Sequence, residues 1–386
     1  MKLLAISKAA FTSVNRDIYF LLSKEYNYQI QLVLPKKLKF SNKYLDCDPY
    51  NKEDSDCIAL EMNGSDRTSR YKGLMKHVRN FKPDVIYFED DPMTIIACMV
   101  GVWCLLNKKK FVCRTNQNRS LTIKSQISRL GFIRGIISIT FKLGLFWITK
   151  NLIHHIFVIS NDGKKAMKKL GYKNITKIPL GFNENRFKVD LQKREKKRAD
   201  LSINEVAISY FGRITHPKGV HLLIEALSRL KKYNWTFLID TFDQYADEYQ
   251  AHIRELIKIT HIEERTIYFD TDHKQIADFM NASDIVVTPS ITTNTFKEEY
   301  GRVVPEALAC GCLVIVSSSG TLKEFMNDDA WIFEEGKIEE LVLLLERAIL
   351  IKDRKKYLEN TSLFARKDFG IKKQAHLMDK VFNSLN

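Results

Sequence analysis

Two acids and two cations, spaced around glycines, carry the chemistry legible in this chain. In KEEYGRVVPEALACGCLVI, Lys297 to Ile315, Glu298 and Glu306 bracket Gly301 and Pro305 just before an apolar run. The run IVVTPS predicts a buried strand ending at Ser290, ITTNTFKEE a polar loop, Pro305 to Cys310 a helix stopped by Gly311, and LVIVS the next strand. Glu298 then lies in a loop at the strand's C-terminal edge and Glu306 in a first helical turn, where both can face one crevice. Capping of the helix dipole would also account for Glu306, and Glu298 beside Glu299 could be a solvated loop charge.

The second stretch is YFGRITHPKGVHLLIEAL, Tyr210 to Leu227. A buried strand ends at Phe211, Gly212 permits a tight turn, and Pro217 presets a first helical turn whose apolar face is Val220, Leu223, Ile224 and Leu227. Arg213 and Lys218 stand at the mouth of that helix, where free N–H groups, the dipole and two cations make an anion site. Gly219 would let a ligand approach the backbone closely. Solvated surface charges are the plainer reading of such a pair. Carboxylates accept hydrogen bonds from sugar hydroxyls, and helix N–H groups bind phosphate, so a crevice offering both suits a nucleotide sugar.

The elements that must position these residues alternate along the whole chain. KLLAIS, IQLVLP, DVIYFED, KKFVCRT, IFVIS and ITKIP predict strands in the first half, and VAISYFGR, TFLID, TIYF, IVVTPS and LVIVS in the second, with helical patterns between them. Buried Val- and Ile-rich strands interleaved with helices imply α/β domains with parallel sheets covered on both faces. At 386 residues, two such domains are expected. FNENRFKVDLQKREKKRADLS is too charged to form a core and reads as their join, giving domains over 1–185 and 200–365. Ligands in such sheets bind at the carboxyl ends of the strands.

Composition narrows the class. The share of apolar residues is 45%, with 8 Pro and 16 Gly, which excludes a disordered or fibrous chain. The seven cysteines are odd in number and form no CxxC pair, which suggests reduced thiols in a cytoplasmic protein. Cys47 and Cys57 fall in a polar loop and could ligate a metal, but no second pair at zinc spacing accompanies them. The apolar start of MKLLAISKAAF is too short for a signal peptide and fits a first buried strand. No membrane-spanning helix is expected: Met93 to Leu106 is too short, and Gly131 to Thr149 is interrupted by Arg134 and Lys142.

The net charge is +15, and its distribution is uneven. Between Asp91 and Asp162 there is no acid, while Lys108, Lys109, Lys110, Arg114, Arg119, Lys124, Arg129, Arg134, Lys142 and Lys150 all occur. Cations threaded through Leu, Ile, Phe and Trp, as segment 108–150 threads them, suit the surface of an anionic membrane. A pair of buried helices with a solvated basic rim is the alternative. Nucleic acid is not expected as a partner, because no binding motif accompanies the charge.

Glu298, Gly301 and Glu306 in E-x7-E spacing, followed by ALACG and SSSGTLKE, resemble the retaining glycosyltransferases of family 4, and GRITHPKG is similar to that family's donor-phosphate turn. PDVIYFEDDP, CRTNQN, ISNDGKKAMKKLGY and IPLGFNENRF extend the likeness more weakly through the first half. The resemblance implies the GT-B fold, two Rossmann-like doubly wound domains facing across a cleft, with a C-terminal crossover helix over 366–386. It further implies transfer of a sugar, with retention, from a nucleotide sugar to a glycan or lipid-linked acceptor in surface polysaccharide or glycolipid synthesis. The nucleotide sugar is a substrate, and neither cofactor nor metal is required.

By the same resemblance Arg213 and Lys218 would hold the diphosphate, Glu298 the donor sugar and its oxocarbenium-like centre, and Glu306 the ribose. Gly212, Tyr300, Gly301 and Arg302 would line the donor site, and Ala9 and Ala10 would complete it from the first domain. The loop CRTNQN lacks the histidine that many members carry there, leaving Gln117 or Asn118 to bond the donor sugar, though neither can act as a base. Asp90 and Asp91 read as a loop facing the acceptor, and Asp270 to Asp272 as the base-recognition loop. A nucleotide-sugar epimerase or hydrolase of the same fold would need an acid or base that cannot be placed. A non-catalytic scaffold would not need all four charged groups. A basic, acid-free face suits an enzyme held peripherally on the inner side of the cell membrane.

Overall fold

The computed structural model describes residues 1–40, 43–50, 56–64, 66–118, 131–241, 248–271, 275–352 and 355–385. It divides into two compact units, one of residues 1–181 and 371–386, the other of residues 182–370.

The first unit is built on seven parallel strands: β1 (Lys2–Ser7), β2 (Gln29–Pro35), β3 (Asp56–Leu60), β4 (Val85–Glu89), β5 (Lys110–Thr115), β6 (His155–Val158) and β7 (Ile175–Lys177). Their order across the sheet is β7-β6-β5-β4-β1-β2-β3. Alternate side chains of these strands feed two cores, as their two-residue period requires. Leu4, Ile6, Ile86 and Phe88 pack on one face, beneath helices α2 (Leu74–Phe81) and α3 (Ile95–Leu106). Leu3, Ala5, Val85 and Tyr87 pack on the other, under Ile18, Tyr19 and Leu22 of α1 (Asp17–Tyr26). Two further helices, α4 (Phe132–Thr149) and α5 (Asn161–Lys169), flank β6 and share a smaller core with it. The strand Asp56–Leu60 lies within what the sequence presents as a polar loop. It is an edge strand whose Cys57, Ile58, Ala59 and Leu60 are only half-buried, so no alternation marks it.

The second unit begins before its sheet, with α6 (Leu191–Asp200). Its strands are β8 (Val206–Tyr210), β9 (Trp235–Asp240), β10 (Thr266–Phe269), β11 (Ile285–Thr288), β12 (Leu313–Ser317) and the short β13 (Ile332–Phe333). All run parallel in the order β10-β9-β8-β11-β12-β13. One face is covered by α7 (Val220–Ser228), α8 (Glu248–Ile259) and α11 (Ile338–Ile349), which bury Leu223, Ile224, Ile253, Ile257 and Leu345 against it. The helices α9 (Ile276–Ala282), α10 (Val303–Ala309) and α12 (Lys355–Phe369) complete the unit. The chain then re-enters the first unit through α13 (Ile371–Ser384), whose Ala375, Met378 and Phe382 complete the core shared with α1. In each sheet the first strand lies between the second and the fourth, so the order reverses between β1 and β4 and between β8 and β11. Loops leaving neighbouring strands there diverge and open a crevice.

The join, read from the sequence as lying near Gly181 to Leu201, narrows in the structure to the first residues of that range. The chain passes between units at Gly181 and Phe182, and the segment supplies α6, a helix of the second unit that buries no side chain. Charge docks it instead. Arg194 and Arg198 reach the buried Asp284 at 2.5 and 3.0 Å, and the same carboxylate accepts a hydrogen bond from the Ala207 N–H at 2.8 Å. Removing one partner strands the others in a dry site. Asp284→Ala is therefore expected to lower the stability of this unit by about 3 kcal/mol, seen as an earlier urea transition. Lys193→Ala, which breaks the exposed pair between α6 and Asp278 of α9, is expected to cost less than about 1 kcal/mol.

Candidate active site

The loops after β8 and β11 meet where the order of the second sheet reverses. Gly212 (φ 126°) turns the chain out of β8, and the Tyr210 hydroxyl donates to the Arg213 carbonyl at 2.8 Å, fixing that turn from below. His216–Lys218 then form one 3-10 turn, and α7 starts only at Val220, after Gly219 in the left-handed region (φ 70°). Pro217 thus belongs to the turn rather than to the helix, and its carbonyl accepts from the Ile291 N–H at 2.8 Å. Gly219 is required by the neighbouring loop: a Cβ there would lie 1.9 Å from the Pro289 carbonyl oxygen. The close approach expected of a ligand is made by the protein's own backbone.

This crossing brings Lys218 and Ser290 to Glu298. The ammonium lies 2.6 Å from Glu298 Oε2, and the Ser290 hydroxyl donates to the same oxygen at 2.9 Å. Glu298 is 5% exposed and Ser290 fully buried. A third loop supports them from the end of β12. Gly320 (φ 56°) lies so close that a Cβ would stand 2.1 Å from the Glu298 carbonyl oxygen, and Gly301 (φ 65°) packs against Leu322. Lys218 also sits over the Phe296 ring at 5.4 Å. Arg213, in the same turn as Lys218, is exposed. Tyr300 is buried edge-on against Phe325.

Glu306 lies in the first turn of α10, 5% exposed, with Arg302 Nε at 3.6 Å. Burial pushes its carboxyl up to about 7, against the pull of Arg302 and Arg186. The site thus holds one acid locked in an ion pair and another poised near neutrality.

Sequence reasoning missed two contributors. Ser290 and Gly320 act through contacts that close only in three dimensions, and their one linear sign is that each lies within three residues of the end of a buried strand. It also missed an aromatic cluster behind the turn, in which His216 stacks on His221 at 5.0 Å and His221 Nδ1 lies 2.6 Å from the Tyr249 hydroxyl.

The expected first-domain contributors lie in the first unit. Ala9 is exposed, but Ala10 is fully buried and its N–H donates to Ser7 Oγ at 3.0 Å. Gln117 and Asn118 follow β5 as expected, with Asn118 buried. Asp90 and Asp91 are engaged within the unit, Asp90 by Lys8 at 2.6 Å and Asp91 by Arg67 at 2.9 Å. Asp270 is exposed at the end of β10, and Asp272 lies outside the described residues. No cluster of three or more metal-ligating side chains occurs among the described residues.

Two Rossmann-like parallel sheets, one carrying a paired acid and base at its switch point, define a GT-B protein. The chain superimposes over its whole length on Anabaena HepE in complex with UDP-glucose, with a TM-score of 0.70 and 18% identity, covering 100% of both chains. Residues 192–366 match the family described as glycosyl transferases group 1. Over 187 residues, 46% of the chain, the sequence is 25% identical to the lipopolysaccharide 1,2-N-acetylglucosaminetransferase of Salmonella typhimurium. Over 243 residues, 59% of the chain, it is 26% identical to the lipopolysaccharide core biosynthesis mannosyltransferase LpsB of Rhizobium meliloti. These alignments span 48% and 65% of the two relatives.

Two outcomes follow from this geometry. Gly219→Ala is expected to cost more than about 2 kcal/mol, from the left-handed backbone and the Pro289 clash together, and to lower the melting temperature by several degrees. Because the folded-state pKa of Glu306 is raised, its contribution to stability is full below the ordinary carboxylate range and is lost as pH rises through about 7. Glu306→Gln is accordingly expected to stabilise the protein at pH 8, with an advantage that shrinks toward pH 5 in paired thermal melts.

Proposed function

We propose that the protein is a retaining glycosyltransferase that moves a sugar from a nucleoside diphosphate donor to a lipid-linked glycan in surface polysaccharide or glycolipid synthesis. The observation that carries the reading is the Lys218–Glu298 pair at the switch point, with the exposed Arg213 in the same turn. Positive charge stands where a diphosphate would leave, and a buried carboxylate stands beside it. The group 1 match over 192–366 and the two lipopolysaccharide-building relatives support the reaction class and the kind of product. HepE, seen with UDP-glucose, supports a nucleotide-sugar donor. The seven free cysteines suit action on the cytoplasmic side.

In this scheme the bond between the anomeric carbon and the diphosphate oxygen breaks first. Arg213 and Lys218 neutralise the charge that develops on the leaving phosphate, with no metal ion in the step. Lys218 pairs with Glu298 and holds it in place, and that carboxylate orients the sugar hydroxyls and stabilises the oxocarbenium-like centre. The acceptor hydroxyl attacks from the face the phosphate leaves, so the configuration is retained, and its proton passes to a phosphate oxygen. Glu306, ionised above about pH 7, accepts hydrogen bonds from the ribose.

The test is donor-dependent transfer after a thermal-shift screen of UDP-, GDP-, ADP- and dTDP-sugars has identified the donor that raises the melting temperature. Glu298→Gln is expected to lower kcat by about a hundredfold while changing the donor KM less than about threefold. Undiminished turnover in that variant would remove the assigned role.

A further inference from the structure

The acid-free window after Asp91 holds a concentration of exposed large apolar side chains among the described residues. Helix α4 buries one stripe, in which Leu145 and Phe146 join Ile156, Val158 and Met167 in a core of the first unit. The rest of its circumference faces outward and is apolar. Phe132, Ile133, Ile137 and Trp147 are exposed, Trp147 by 78%, and Leu105 and Leu106 at the end of the adjacent α3 continue the face. A helix apolar nearly all round is covered either by protein or by lipid.

Neither α3 nor α4 carries an acid. Lys108, Arg134 and Lys150 are exposed there. Arg114 and Lys142, which the sequence suggests as part of the basic surface, are instead buried, and Arg119, Lys124 and Arg129 lie outside the described residues. A second copy of the chain docking symmetrically would set cations against cations, because an isologous interface pairs a patch with itself. An anionic bilayer meets both halves of the pattern.

We propose that α4 and the end of α3 form a membrane-docking face: the apolar ridge enters the acyl boundary while Lys108, Arg134 and Lys150 meet headgroup phosphates. By length and composition α4 could cross a bilayer, with 18 residues and a mean hydropathy of 1.5. The stripe containing Leu145 and Phe146 belongs to the core, however, so spanning would strip that core, and the helix lies in the plane of the membrane instead. The inference stands apart from the transfer reading, since neither the face nor its test involves the donor site.

Flotation of the full-length protein with vesicles of phosphatidylglycerol and phosphatidylcholine, against phosphatidylcholine alone at low salt, tests it. The bound fraction is expected to be about tenfold higher on the anionic vesicles and to fall as salt rises. Ile137→Ser with Trp147→Ser removes two outward side chains and is expected to reduce binding about tenfold, with a melting temperature within about 2 °C of the parent. Arg134→Glu is expected to reduce the preference for anionic over neutral vesicles. Equal flotation with both vesicle types, or unchanged binding by the double variant, would overturn the proposal. So would a parent dimer in sedimentation that the double variant dissociates, which would give the face to a second copy.

Discussion

The second unit is organised around one crossing, where the Pro289 carbonyl passes over Gly219 at a distance no side chain permits. Because the two loops touch there, the residue before Gly219 and the residue after Pro289 converge on the same carboxylate oxygen. The third loop repeats the device, with Gly320 against the Glu298 carbonyl. Loops of this kind would ordinarily be the mobile parts of an α/β domain. Here glycine at each contact lets backbone lie on backbone, and the buried strands β8, β11 and β12 fix where each loop begins.

Both sheets place a carboxylate near the point where their first and fourth strands part, yet they hold it differently. In the first unit Glu89 ends β4 and accepts from Ser7 at 2.5 Å, Tyr19 at 2.6 Å and Arg114 at 2.9 Å. Those partners stand on strands and on α1, and Ser7, Tyr19 and Arg114 are buried, so the network is sealed. Its burial and the Glu89 charge hold the Tyr19 phenol well above its usual range. In the second unit Glu298 is held by a lysine on a flexible four-carbon stem, which can redirect its other N–H groups without moving the backbone. One arrangement supports structure, and the other leaves room for exchange.

What was legible in the sequence was what the hydrophobic period and local turn chemistry encode. The runs KLLAIS, DVIYFED, VAISY and LVIVS are buried on both faces, and the parallel α/β architecture follows from them. The placement of Glu298 in a loop and Glu306 in a first turn also follows locally. The helix α6 escaped because it buries nothing, and the ion pairs that dock it lie more than eighty residues away in sequence. Residue type likewise does not report exposure. Arg114 and Lys142 sit among surface-like lysines in the sequence, and both are interior. The Lys218–Glu298 pair spans eighty positions, so its two residues could be nominated separately but not joined without the fold.

The return of α13 to the first unit bears on how the chain is made. Residues 182–370 form a continuous insert, whereas the core around Tyr28, Tyr87 and Phe157 is closed by Phe382, with ring centroids about 6 Å away. On a ribosome, the unit of residues 182–370 emerges whole and can fold while the first unit still lacks α13. The half that is translated first is therefore completed only after the second unit has been made, and its apolar seam beside α1 stays open until α13 follows.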